Sequence, residues 1–120
     1  MALNLINVAT ITGRTALMPG ATSSTAFTPA VVGTAGQLIR INSLYAVNTS
    51  ATTYTATVVI TRSSPTGTLH IASALSCAGN TTTVIVIKDS PIYLEEVTDQ
   101  LFAHGSHADL KFIVSYEILA

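Results

Sequence analysis

The chain has 120 residues, only 9% of them charged, and a net charge of −1. That length holds one domain with its own core and is short for two. Ordinary globular chains carry about 25% charge, so Thr, Ser, Ala and Asn stand here where charges would, and a surface this neutral points to coverage by neighbouring proteins. The five cations, Arg14, Arg40, Arg62, Lys88 and Lys111, are scattered and form no patch suited to nucleic acid. A single cysteine, Cys77, rules out an intramolecular disulfide. The opening MALNLINVAT has neither the cationic nor the continuous apolar segment of a secretion signal. Apolar runs such as VIVI at 84–87 are far shorter than the roughly 20 residues that cross a bilayer. Neither nucleic acid nor a membrane is therefore an expected partner.

In chain order, residues 1–36 read as an N-terminal strand and extended arm, and 37–120 as a β-sandwich core, a single domain overall. The arm MPGATSSTAFTPAVVGTAG at 18–36 is rich in Pro, Gly, Ser and Thr and holds one short strand near Thr25 to Val32. In QLIRINSLYAVN (37–48) period-2 alternation sets Ile39, Ile41, Ser43, Tyr45 and Val47 toward a core. Leu38, Arg40, Asn42, Leu44 and Ala46 fall on the other side. TTYTATVVITR (52–62) sends Tyr54, Ala56, Val58 and Ile60 inward and its threonines toward solvent. GTLHIASAL (67–75) and TTTVIVIKD (81–89) are two further strands. DLKFIVSYEIL (109–119) sets Leu110, Phe112, Val114, Tyr116 and Ile118 against Lys111 and Glu117, the clearest amphipathic strand. Turns fall at SSPTG (63–67), CAGN (77–80) and KDSP (88–91). Strands spaced about 8 to 12 residues apart with such turns between them predict an all-β antiparallel sandwich, jelly-roll-like or immunoglobulin-like.

Candidate chemistry is sparse. HGSHAD at 104–109 gathers His104, His107 and Asp109 beside a serine. Catalytic zinc takes three converging ligands, and the remaining His70 lies in a distant strand. A serine triad needs an oxyanion hole and a shaped pocket as well as the residue types. The segment is expected to be a turn, with Gly105 supplying unusual dihedrals and Asp109 opening the last strand. YLEEVTD (93–99) holds three of the six acids. Glu95 and Glu96 are adjacent and on a strand would face opposite ways, so solvated loop charges are expected, with Glu96 or Asp99 free to bridge to a neighbouring subunit. The Thr row at 53, 55 and 57 reflects β-propensity. The sequons at Asn48 and Asn80 are taken as chance matches. No catalytic residue, cofactor site or metal site is assigned, and the chain is not expected to be an enzyme.

SPIYLEEVTDQLFAHGSHADLKFIVSYEIL at 90–119 resembles the C-terminal region of small virion structural proteins of tailed phages infecting cyanobacteria and other marine bacteria. Ile92 to Glu96 and Ser115 to Glu117 match that pattern, and IRINSLYAVNTS (39–50) and NVATITG (7–13) are similar to its central strand and N-terminus. The Gly-Asp that follows the double Glu in the family is replaced here by Val97, Thr98 and Asp99. The resemblance implies a capsid decoration or cement protein whose partner is the major capsid protein or another virion protein. By analogy to other cement proteins it also implies a homo-oligomer, a trimer, and the expected contact surface is the apolar and small polar residues of the 18–36 arm together with exposed strand edges. Neck, tail, baseplate or fibre-attachment components share the same requirements. A carbohydrate-binding module is the alternative from another class. Such modules present aromatic platforms, whereas alternation turns Tyr45, Tyr54 and Phe112 inward and leaves only Tyr93 open.

Overall fold

A computed structural model describes residues 10–18, 25–31, 37–63, 66–87, 89–95 and 99–120. The described residues form nine strands: β1 (Ile11–Met18), β2 (Thr25–Val31), β3 (Leu38–Asn48), β4 (Tyr54–Ser63), β5 (Thr66–Cys77), β6 (Thr81–Val86), β7 (Ile92–Leu94), β8 (Gln100–Gly105) and β9 (Leu110–Leu119). Every pairing is antiparallel. The pairs β1–β9, β2–β8, β3 with β6 and β7, and β4–β5 fold the chain as one long ribbon bent at the β4–β5 hairpin. Wrapping that ribbon lays β9 beside β3 and β8 beside β4. The result is two sheets, β1-β9-β3-β6 with β7 also on β3, and β2-β8-β4-β5.

This is the strand order of a jelly roll. In an immunoglobulin-like sandwich several successive strands are sheet neighbours, whereas β4 and β5 are the one such pair among the described residues. The N-terminal region supplies an edge strand to each sheet through β1 and β2. Residues 1–9, 19–24 and 32–36, which include most of the arm, lie outside the described residues.

The core lies between the sheets. Ile39, Ile41, Leu44, Val58, Ile60, Leu94, Leu101, Phe112 and Val114 are all buried there. Fully burying a side chain of this kind contributes about 1.5–3 kcal/mol relative to leaving it exposed. Both β4 and β9 keep the expected alternation, with Ala56, Val58 and Ile60, then Leu110, Phe112, Val114 and Tyr116, turned inward, and with Tyr54 and Ile118 only partly buried against the core.

The β3 strand does not keep it, and three of its five expected inward residues are corrected. Ile39 and Ile41 are buried as expected, but beyond them Leu44, Ala46 and Asn48 are buried, while Ser43, Tyr45 and Val47 lie on the outer side. The register with β9 explains the switch. Ile41 pairs Tyr116 and Ser43 pairs Ser115, so Asn42 is an extra residue, a β-bulge that inverts every later side chain. The Asn42 amide donates to Glu117 Oε1, the same oxygen that accepts from Arg40 at 2.7 Å. Leu38, expected on the wetter side, is instead buried, as is its cross-strand partner Leu119.

β6 and β7 run along one side of β3 in tandem, β6 against Leu44 to Asn48 and β7 against Ile39 to Ile41. Between them the chain leaves the ladder, with Ser90 N donating to Ile87 O at 3.1 Å. Pro91, which has no N–H to donate, closes the interruption.

Candidate interaction surface

The connections β3–β4, β5–β6 and β8–β9 all emerge at one end of the sandwich, which brings 49–53, 78–80 and 106–109 together. The HGSHAD segment lies here. Its polar turn is Ser106 to Asp109, because β8 runs through His104 and Gly105. Ser106 N donates to Thr55 O at 2.9 Å and Thr55 N to Ser106 Oγ at 3.0 Å, tying the turn to β4. The His107 ring stacks on Tyr54, with centroids 4.6 Å apart and planes 4° from parallel. His107 Nδ1 accepts the Asp109 N–H at 3.1 Å and lies 3.6 Å from the Asp109 carboxylate. Both ring contacts are used in shaping the turn, and His104 projects from the outer side of β8.

Gly105 serves this turn through space. Its backbone is not left-handed, which corrects the expectation of unusual dihedrals. A Cβ there would lie 2.8 Å from Leu110 Cδ2 and 3.0 Å from Leu110 Cβ. At the neighbouring turn a Cβ on Gly79 would overlap the Ala51 carbonyl, while Asn80 N donates to Ser50 O at 2.8 Å. Asn48, of the first sequon, is 1% exposed. Its amide donates to Thr52 O at 2.8 Å and Cys77 O at 3.0 Å, and its oxygen accepts from Ser50 N. It staples two connections together. Beside it, Val47, Asn48, Thr49, Asn80, Thr81 and Thr82 line a shallow, open cleft. Among the described residues no three His, Cys, Asp or Glu side chains converge as a metal site would require.

The acids at 93–99 are not all solvated. Asp99 is fully buried, with Arg62 Nε at 3.6 Å, and it accepts the Glu95 N–H at 3.0 Å. Arg62 also reaches Glu95 at 3.3 Å and donates to Tyr93 O at 3.2 Å. One arginine on β4 thus clamps the β7–β8 connection within the same chain. Asp99 is therefore not placed to bridge to a neighbouring subunit, while Glu96 lies outside the described residues. Glu117 raises the Arg40 pKa by hydrogen bonding to it, against the desolvation that lowers it.

The outer side of the first sheet carries a different kind of feature. Leu17, Ile113, Tyr45 and Val84 are successive cross-strand partners, an apolar row crossing β1, β9, β3 and β6. Tyr45 belongs to this row because of the bulge, not to the core. The exposed large apolar side chains among the described residues are Ile11, Leu17, Leu69, Leu75, Val84 and Ile87. All lie on or just beyond the edge strands β1, β5 and β6. Sequence patterning marked exposed edges as contact surfaces but could not say which residues they expose. The other expected contact region, the 18–36 arm, falls largely outside the described residues. No family model, curated protein or solved structure matches this chain.

Proposed function

We propose that this chain is a structural protein of a tailed-phage virion, a decoration or cement protein that adds to the head shell and stabilises it by contact. The observation that carries the proposal is that, among the described residues, the large exposed apolar side chains fall on or just beyond sheet edges. A small sandwich with such edges is suited to pairing with neighbours, and weak contacts repeated around a particle act together. The resemblance adds the setting. Ile92 to Leu94, Ser115 to Glu117 and the β3 residues of the similar central segment meet in one sheet, where Arg40 pairs with Tyr93 on one side and Glu117 on the other. Those residues maintain the fold; they perform no reaction. A jelly roll also suits capsid proteins, but the fold alone does not assign a function.

The partner in this proposal is the major capsid protein, with a neck, tail, baseplate or fibre position as the variant within the virion, and the oligomer is a homotrimer. Cosedimentation of the purified chain with head shells lacking it tests the proposal. Saturable binding near the stoichiometry of the shell protein supports it, and a chain left in the supernatant at every concentration refutes it. Glycan binding is the second reading. It draws on Tyr45, which the bulge turns outward, and a flat glycan-array profile removes it.

A further inference from the structure

We infer that β1 is an acceptor edge for an extended segment of a different protein, one carrying a carboxylate between apolar residues. This rests on the contact role proposed above and specifies the chemistry of its partner.

Three of the four sheet edges are obstructed. β2 contains Pro29, and its register with β8 is irregular. β5 departs twice from regular pairing with β4, and Ala74 there is left-handed at φ 49°. The β6–β7 edge is interrupted before β7. Bulges, prolines and breaks of this kind keep edges from pairing. β1 has none of them and holds its register with β9 from Ile11 to Met18.

The hydrogen-bonding direction of β1 follows from its first pair. Thr10 and Ala120 exchange both backbone bonds, at 2.9 and 3.0 Å. Such pairs alternate along an antiparallel ladder, so Thr12, Arg14 and Ala16 also turn their backbone groups toward β9. Ile11, Gly13, Thr15 and Leu17 therefore turn theirs toward the open edge. Ile11 is 60% exposed and Leu17 62% exposed, and the space where a Gly13 side chain would stand is empty.

Arg14 decides what can bind. Arg40 and Arg62 have carboxylates beside them, whereas no described carboxylate pairs with Arg14. A charge on an edge strand ordinarily discourages pairing. It also selects, because an incoming strand with an acid opposite Arg14 gains a cross-strand ion pair and one with a cation meets repulsion. A second copy of β1 is disfavoured for that reason. The twofold register that places Ile11 against the mate's Leu17 also places Arg14 directly against the mate's Arg14. Among the described residues the other edges of a second copy are obstructed and offer no better strand, so the occupant assigned to β1 is a different protein.

The test uses the full chain, labelled with nitrogen-15, and a capped heptapeptide Val-Thr-Thr-Glu-Phe-Thr-Val. Laid antiparallel, the peptide sets valines against Leu17 and Ile11, phenylalanine over Gly13 and glutamate against Arg14. Binding should slow amide hydrogen exchange at residues 11, 13, 15 and 17 beyond any change at 12, 14 and 16. Affinity should fall roughly fivefold when lysine replaces the glutamate, the size of a cross-strand charge reversal. Arg14→Glu should reverse that preference. Thr15→Pro, which removes an N–H from the open edge and none from the β9 ladder, should abolish binding while the remaining spectrum stays folded. Protection at another edge, equal affinity for both peptides, or binding unaffected by Thr15→Pro would overturn the inference. If these fail while the chain still saturates head shells, the contact role stands and its assignment to β1 falls.

Discussion

His107 and His104 share a short polar segment but differ in what they touch. His107 stacks on Tyr54 and accepts the Asp109 N–H. His107→Ala should therefore cost about 1 kcal/mol, the usual net size of a ring pair and a hydrogen bond together. His104→Ala should stay within about 0.5 kcal/mol, as most surface substitutions do. Urea unfolding of the two variants checks both values. Tyr116 has a pH signature. Burial pushes its phenol above the ordinary 10.0, while Arg14 pulls the other way. The folded state thus holds the proton more tightly than the unfolded state, and the associated stability is intact below pH 10 and lost as pH rises past it. Tyr116→Phe should lose less stability than the parent chain between pH 9 and 12. At this scale the sequence shows residue types and hides their partners. That a polar turn falls within HGSHAD could be read from its composition, whereas the continuation of β8 through His104 and Gly105 and the stack of His107 on Tyr54, 53 positions earlier, could not. The burial of Asp99 was equally hidden, because Arg62 reaches it from another strand.

Alternation gave the inward faces of β4 and β9 because period 2 holds from Ala56 to Ile60 and from Leu110 to Tyr116; at the end of β9 it fades, with Ile118 partly buried and Leu119 buried. On β3 it failed at one residue. Asn42 is polar, and its side chain finds Glu117, a partner 75 positions away. Nothing local in QLIRINSLYAVN marks an inserted residue, and period-2 logic carries one error through the rest of a strand. The consequence can be measured. Leu44→Ser should destabilise the chain by about 2–4 kcal/mol, as loss of a buried aliphatic does. Tyr45→Ser should cost less than about 1 kcal/mol, since it removes an outer-side residue. Equal effects in thermal or denaturant unfolding would contradict the bulge. The separate question of which edge is open also needed the register. Pro29 in β2 and Pro91 before β7 can be seen in the sequence, but the irregularities in β5 cannot.

For the whole molecule, repeated strands and turns implied a sandwich. The choice between jelly roll and immunoglobulin-like order depended on long-range pairings, such as Arg40 with Glu117, that short-range patterns do not encode. The functional proposal joins that fold to a neutral surface, exposed apolar edges and the resemblance at Ile92 to Glu96 and Ser115 to Glu117. Its central claim is that the chain acts as a repeated structural part of a particle. Quantitative mass spectrometry of purified virions, with the copy number of this chain set against that of the major capsid protein, tests this most directly. A ratio close to that of the capsid protein is the expected result. Absence of the chain from the particle would contradict the proposal.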